Sequence, residues 1–293
     1  MSFSGSLVAI ITPMRPDGAV DLEAWTRLLD FHAENGTSGV VVGGTSGESA
    51  TLRELELREL ALRACERLRG RLAVIVGAGT SSTSNTVERV RWLSELPIDG
   101  LLLVTPAYNR PTQEGLYQHF AAAAAASRKP ILLYNVPGRT AVDMKPATVA
   151  RLSRVARIVG VKEALPETGR VRELIDAVTK GFVILSGDDA TAREAIGGGA
   201  RGVISVTANV APRAMSEMVA AALAGDATRA RELDTPLAGL HRELFVESNP
   251  IPVKWTLAQM GLIGGALRLP LTPLSEAHHA TVRAAARAAG VLA

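Results

Sequence analysis

Eight short runs rich in Val, Ile and Leu punctuate the chain: Leu7–Ile11, Gly39–Val42, Leu72–Val76, Gly100–Val104, Ile131–Tyr134, Ile158–Val161, Phe182–Leu185 and Gly202–Ser205. Each is nearly all apolar and bounded by turn residues, the pattern of a strand buried on both faces. Segments of helical period separate them. Asp21–Asn35 opens on an acidic cap and ends at Gly36; Thr51–Arg69 is stopped by Gly70 and Thr83–Leu96 by Pro97. Gln113–Ser127 carries the Ala121–Ala126 run, a strong helix former. Strands alternating with helices predict parallel pairing through crossovers. The simplest closure of eight such units is an α/β fold of the (β/α)8 TIM-barrel type; an open doubly wound sheet is the alternative. Beyond about residue 225 the strands stop, and Arg229–Phe245, Ile251–Met260 and Glu276–Ala289 read as helices, with Leu269–Pro273 as a break. The expected division is a catalytic barrel over 1–224 and a small C-terminal helical domain over 225–293, packed tightly on it.

Composition narrows the function. The net charge is only +3, and the basic residues lie near acidic ones on helical segments. Those are solvated faces rather than a nucleic-acid stripe. A single cysteine, Cys65, allows no intrachain disulfide, which fits a reducing compartment, and it reads as a small buried hydrophobe. The stretch Met1–Ile11 lacks a basic n-region, and no apolar run reaches the roughly 18 residues of a membrane span. A soluble, cytoplasmic protein without membrane or nucleic-acid partners is expected. The five histidines are scattered without ligand spacing, so no metal is expected, although Asp188-Asp189 could suggest one. Gly77-Ala78-Gly79 lacks the third glycine of a dinucleotide fingerprint, and no Walker lysine pattern occurs.

In a barrel enzyme, chemistry sits at the C-terminal ends of strands. The unusual residues gather there. Strand two runs into Gly43-Gly44-Thr45-Ser46-Gly47-Glu48-Ser49, strand four into Tyr108-Asn109-Arg110-Pro111, strand five into Tyr134-Asn135-Val136-Pro137-Gly138-Arg139, strand six into Lys162-Glu163 and strand seven into Gly187-Asp188-Asp189. Lys162 is the sharpest signal. Simple alternation puts it on one face with Ile158 and Gly160, and neither face of a barrel strand is wet. Desolvation lowers a lysine pKa and yields the neutral amine that attacks a carbonyl, with Gly160 opening space beside it. The alternative is a strand-end lysine snorkelling into solvent. Schiff-base chemistry also needs proton transfer. Tyr134 and Tyr108 can shuttle protons, and Thr45 can link two phenols in a relay; each tyrosine could equally be packing. The Gly43–Gly47 stretch offers backbone donors and hydroxyls of the kind that hold carboxylates or phosphates, and Arg139 suits a bidentate carboxylate.

These stretches resemble the dihydrodipicolinate synthase family of pyruvate-dependent class I aldolases, the superfamily that also holds N-acetylneuraminate lyase. The resemblance covers essentially the whole chain. It is carried by Gly44-Thr45-Ser46-Gly47-Glu48-Ser49-Ala50-Thr51-Leu52, Tyr108–Gly115, Tyr134–Thr140 and Gly160-Val161-Lys162-Glu163, and in the tail by Ser248-Asn249-Pro250-Ile251-Pro252-Val253-Lys254 and Leu269-Pro270-Leu271-Thr272-Pro273. It implies that Lys162 forms an imine with pyruvate and that Tyr134 exchanges protons in a relay with Thr45 and Tyr108. Tyr108 would come from a neighbouring subunit of a homo-oligomer, typically a tetramer of two tight dimers. Ser46, where the family usually has threonine, would hold the pyruvate carboxylate; Gly187 and Ile204 would line the site. Arg139 would take the carboxylate of aspartate 4-semialdehyde, and sugar-acid lyases usually lack it. No external cofactor is implied.

Three rival functions remain at this point. A sugar-acid aldolase would share Lys162 and Tyr134. A phosphate-handling barrel would want a glycine-rich anion site after strands seven and eight, and Ser205–Asn209 after strand eight has no glycine. A non-enzymatic barrel would have lost the lysine or the tyrosines. The resemblance also bears on feedback. Lysine-sensitive relatives bind the amino acid through histidines, an asparagine, a glutamate and a tyrosine. Without gaps, those positions are Glu54, Leu57, Ser81, Asn85 and Ala107 here, with Ser49 and Ala50 kept. Weak or absent lysine inhibition is expected.

Overall fold

A computed structural model of the chain describes residues 3–293. The strands are β1 (Gly5–Val8), β2 (Gly39–Val42), β3 (Ala73–Gly77), β4 (Gly100–Val104), β5 (Ile131–Asn135), β6 (Ile158–Glu163), β7 (Val183–Ser186) and β8 (Gly202–Ser205). They form a closed parallel barrel in sequence order, so the doubly wound alternative is excluded. The seam between β1 and β8 runs from Gly5 opposite Gly202 to Val8 opposite Ser205. It needs glycine: a Cβ on Gly202 would lie 2.1 Å from the Gly5 carbonyl oxygen, and both residues have positive φ.

The apolar residues divide into two layers. Leu7, Val41, Ile75, Leu102, Leu132, Leu185 and Ile204 fill the lumen. Their strand neighbours pack outward against the helices; Val40, Val74, Leu101 and Val203 meet Trp25, Leu29, Leu60 and Val90 in the larger cluster. A filled lumen leaves only the mouth at the strands' C-terminal ends for a site. The first helix, Leu22–Glu34, starts where the Asp21 side chain accepts a hydrogen bond from the Ala24 N–H.

Several boundaries differ from the sequence expectation for local reasons. β1 begins at Gly5 and ends at Val8; the Ala9 N–H still donates to the Ser205 carbonyl oxygen, and Ile10 and Ile11 leave the ladder. There the Ile11 N–H donates to the Asn209 side chain instead of a strand. The segment expected to begin a helix at Thr51 stays in turns until Glu54. The expected helix Arg229–Phe245 is broken into Ala227–Asp234, a 3-10 turn at Thr235–Leu237 and Ala238–Glu243, with Pro236 inside the turn. Most consequential is a bulge between β5 and β6. Ile131 stands opposite Ile158, but Leu132 stands opposite Gly160, which leaves Val159 as an extra residue. Ile158 therefore packs in the outer layer. It does not share a face with Lys162, contrary to simple alternation.

Candidate active site

The bulge sets the register of the strand ends. Tyr134 stands opposite Lys162 and Asn135 opposite Glu163 on neighbouring strands. Lys162 is 5% exposed and Tyr134 7%, and the Lys162 Nζ lies 4.3 Å from the centre of the Tyr134 ring. The amine is therefore inside the barrel and not snorkelling. Gly160 does not make its room: a Cβ there would collide with the Val183 carbonyl oxygen at 2.5 Å. That glycine permits the close approach of β7. The residue that leaves room for the lysine is Gly187, where a Cβ would lie 2.9 Å from Lys162 Cε.

Lys162 opens into a cavity of about 120 Å³ at the barrel mouth, which Thr45, Ser46, Tyr134, Arg139 and Gly187 also line. The ends of four strands distant in sequence, β2, β5, β6 and β7, thus converge on one space. Ile204 is fully buried in the lumen cluster but does not line the cavity; Val206, two residues further along, does. Tyr108 stands apart. It is 97% exposed with a positive φ of 72°, away from Lys162 in the single chain.

The loop after β2 is shaped by close backbone contacts. A Cβ on Gly77 would lie 2.2 Å from the Gly43 carbonyl oxygen, so Gly77 lets β3 press against this loop, while a Cβ on Gly79 would lie 2.6 Å from the Val104 N of β4. Thr45 and Tyr134 line both the main cavity and a smaller one behind it, beside Gly43 and Gly77. The buried Ser46 Oγ accepts a hydrogen bond of 2.9 Å from Asn249 Nδ2. Arg139 rides on the short helix Pro137–Thr140, and its Nη2 donates to the Asn249 carbonyl oxygen at 3.3 Å. Asn249 thus bridges the two groups suited to carboxylates, and its Oδ1 is buried without a partner.

Sequence reasoning gave no role to Asn249, Val206 or Phe245, all of which line the cavity. The only hint was the resemblance of the Ser248–Lys254 stretch. The two aspartates that could have suggested a metal serve the loops. Asp188 accepts from the Thr191 N–H and hydroxyl, and Asp189 from the Val206 and Thr207 N–H groups. Among the described residues no group of three or more His, Cys, Asp or Glu is placed to hold a metal ion. Nor is any described helix long and apolar enough to cross a membrane.

Behind the reactive pair, Asn135 Nδ2 donates to both Glu163 oxygens, at 3.1 and 3.0 Å, and to Asp143 at 2.9 Å. Burial pushes the Glu163 carboxyl up to about 7. Burial also works to raise Asp143, but hydrogen bonds from Arg170, Lys145 and Asn135 hold it down at about 2. This lattice ties β5 to β6 at the level of Tyr134 and Lys162.

A buried amine beside a phenol, in a small cavity rimmed by hydroxyl and guanidinium donors at the mouth of a parallel barrel, is the site of a lyase of the Schiff-base aldolase class. The comparisons agree. The model of the dihydrodipicolinate synthetase family matches residues 2–289. The 4-hydroxy-tetrahydrodipicolinate synthase of Alkalilimnicola ehrlichii is 53% identical over 99% of this chain and 100% of its own, and that of Ectopseudomonas mendocina is 52% identical over 99% of each. The crystal structure of the chloride-inhibited dihydrodipicolinate synthase from Acinetobacter baumannii, complexed with pyruvate, superposes with a TM-score of 0.98. It is 47% identical and covers 99% of this chain and 100% of that one. The chain belongs to the dihydrodipicolinate synthetase family.

Proposed function

We propose that this chain is a 4-hydroxy-tetrahydrodipicolinate synthase, condensing pyruvate with L-aspartate 4-semialdehyde in the first committed step of diaminopimelate and lysine biosynthesis. The observation that carries the reading is the Lys162 amine held in the cavity against Tyr134. The names of its full-length relatives support it. The amine adds to the pyruvate ketone, and loss of water gives the imine. Loss of a methyl proton then gives an enamine, with the nitrogen as electron sink. The enamine carbon attacks the semialdehyde aldehyde carbon, and that oxygen takes up a proton. The substrate's own amino group then displaces Lys162 by transimination, closing the ring and freeing the enzyme. The chemistry needs no external cofactor.

Tyr134 passes protons to and from the carbinolamine oxygen in this reading, with Thr45 next in the relay. Ser46 holds the pyruvate carboxylate and Arg139 that of the semialdehyde, which favours this reaction over a sugar-acid lyase. Gly187 gives the lysine its room and Ile204 supports the floor of the site. Tyr108 completes the relay from a neighbouring subunit; its exposure and its place outside the single-chain cavity support a homo-oligomer, read as a tetramer of tight dimers. The barrel over 1–224 is the catalytic domain and 225–293 a helical domain buttressing its mouth, in a cytoplasmic enzyme.

Borohydride reduction in the presence of pyruvate, followed by intact mass and peptide mapping, tests the reading. One reduced pyruvate per chain on Lys162 is expected, and Lys162→Ala should fold without trapping. An adduct on Lys254, Lys180 or Lys145 overturns the mechanism.

A further inference from the structure

Lys254 and Glu48 form an ion pair with both side chains fully buried, Nζ to Oε1 2.5 Å, between residues 206 apart in sequence. Lys254 sits on the helix Ile251–Gln259, five residues after Asn249, and does not line the cavity. Its Nζ also donates to the Thr12 carbonyl oxygen at 3.0 Å. Burial pulls its pKa down, against the pull of Glu48. Stability alone is a weak reason for such a pair, because apolar residues of the same volume often do as well or better. Geometry is a better reason.

Glu48 stands two residues beyond Ser46, with a strained positive φ of 56°. Its second oxygen accepts from the Arg268 N–H at 3.1 Å. Arg268 also donates to the Thr51 carbonyl oxygen at the far end of the same loop. Thr12, which accepts from Lys254 through its carbonyl, donates through Oγ1 to the Gly47 carbonyl oxygen at 2.8 Å. Within the loop the Glu48 N–H closes back on the Thr45 carbonyl oxygen at 3.1 Å. Thr45, Gly47 and Glu48 are therefore tied directly or at one remove to Lys254 or Arg268, while Ser46 between them is held by Asn249.

We infer that Lys254, through Glu48, is a positioning residue for the Thr45–Ser46 loop, setting the aim of its donors at the carboxylate of the keto-acid substrate. This rests on the assignment of Ser46 to that carboxylate. Lys254 touches no reacting atom. Its loss should be read in substrate saturation more than in the rate of the chemical step.

The test compares Glu48→Gln, Lys254→Met and the double variant with the parent enzyme. It measures kcat, KM for pyruvate, borohydride-trapped fraction against pyruvate concentration, and thermal midpoint. Each single variant leaves a buried charge without its counter-charge and should lose both thermal stability and pyruvate saturation. The double variant removes both charges. It should regain the parent's thermal midpoint within a few degrees yet keep a pyruvate KM raised about tenfold, the scale of one misaimed hydrogen bond to a charged group. Its kcat should stay within about threefold. A double variant that regains both midpoint and KM makes the pair a stability element and overturns the inference, as does a double variant that fails to fold. If the parent forms no adduct on Lys162, the reading of the site fails instead. If the parent forms it and all variants saturate alike, only this inference fails.

Discussion

Gly187→Ala probes how tightly the reactive lysine is confined. Gly187 is outside the left-handed region, so alanine brings no backbone strain and the effect is steric. The new Cβ would lie 2.8 Å from Ala164 Cβ and 2.9 Å from Lys162 Cε, where ordinary contact begins at 3.4 Å. Something must therefore move by about 0.5 Å at least. The backbone cannot simply retreat, because the Gly187 N–H donates to the Glu163 carbonyl oxygen at 2.6 Å and pins the loop to β6. Ala164 is itself held by its N–H bond to the Asn135 carbonyl oxygen. The lysine is the softer neighbour and should yield, losing its alignment with Tyr134. Overpacking of this kind costs about 1–3 kcal/mol of stability, and a 1 Å misplacement costs about 10²-fold in rate. A shift of half that size should slow imine formation by about tenfold. The assay is the rate of borohydride trapping with pyruvate, alongside thermal melting. Gly197→Ala is the control, since a Cβ there meets nothing within 4 Å. If Gly187→Ala traps pyruvate at the parent's rate with the parent's melting midpoint, the lysine is not confined by this wall and the steric reasoning is wrong.

Three further outcomes follow from the site. Tyr134→Phe should lower turnover by about 10²–10⁴-fold and Tyr108→Phe by less; parent-like turnover in both removes the relay. Arg139→Ala should cut kcat/KM for the semialdehyde by about ten- to a hundredfold, the loss of a hydrogen bond to a charged group, while pyruvate trapping stays near the parent level. Equal loss in both would mean that Arg139 acts mainly by holding Asn249. L-lysine should inhibit weakly or not at all in steady-state assays. Of the positions aligned with the lysine-binding residues of sensitive relatives, Glu54 is already paired with Arg89 and Leu57 is buried under Gly43. Half-inhibition below about 1 mM would contradict this.

The sequence by itself determined eight strands alternating with helices and pointed to the rim, while the closure of the barrel was decided by the tertiary structure. A strand buried on both faces must be apolar throughout, so eight runs showed eight strands, and the polar residues that follow them had to crowd one mouth. Lys162 was readable because a charged residue ending an apolar strand is anomalous within a few residues of chain. What only the tertiary structure decided depends on contacts between segments far apart. The Val159 bulge turned Ile158 outward, since register is a property of a strand pair and not of one strand. It also showed that Gly160 serves the approach of β7 while Gly187 makes room for the amine. Asn249, Lys254 and Arg268 received no individual role from the sequence, because nothing in the few residues around each of them shows what it touches. Their meaning lies in the loop after β2, some 200 residues away in the chain, which they grip only once the barrel has closed.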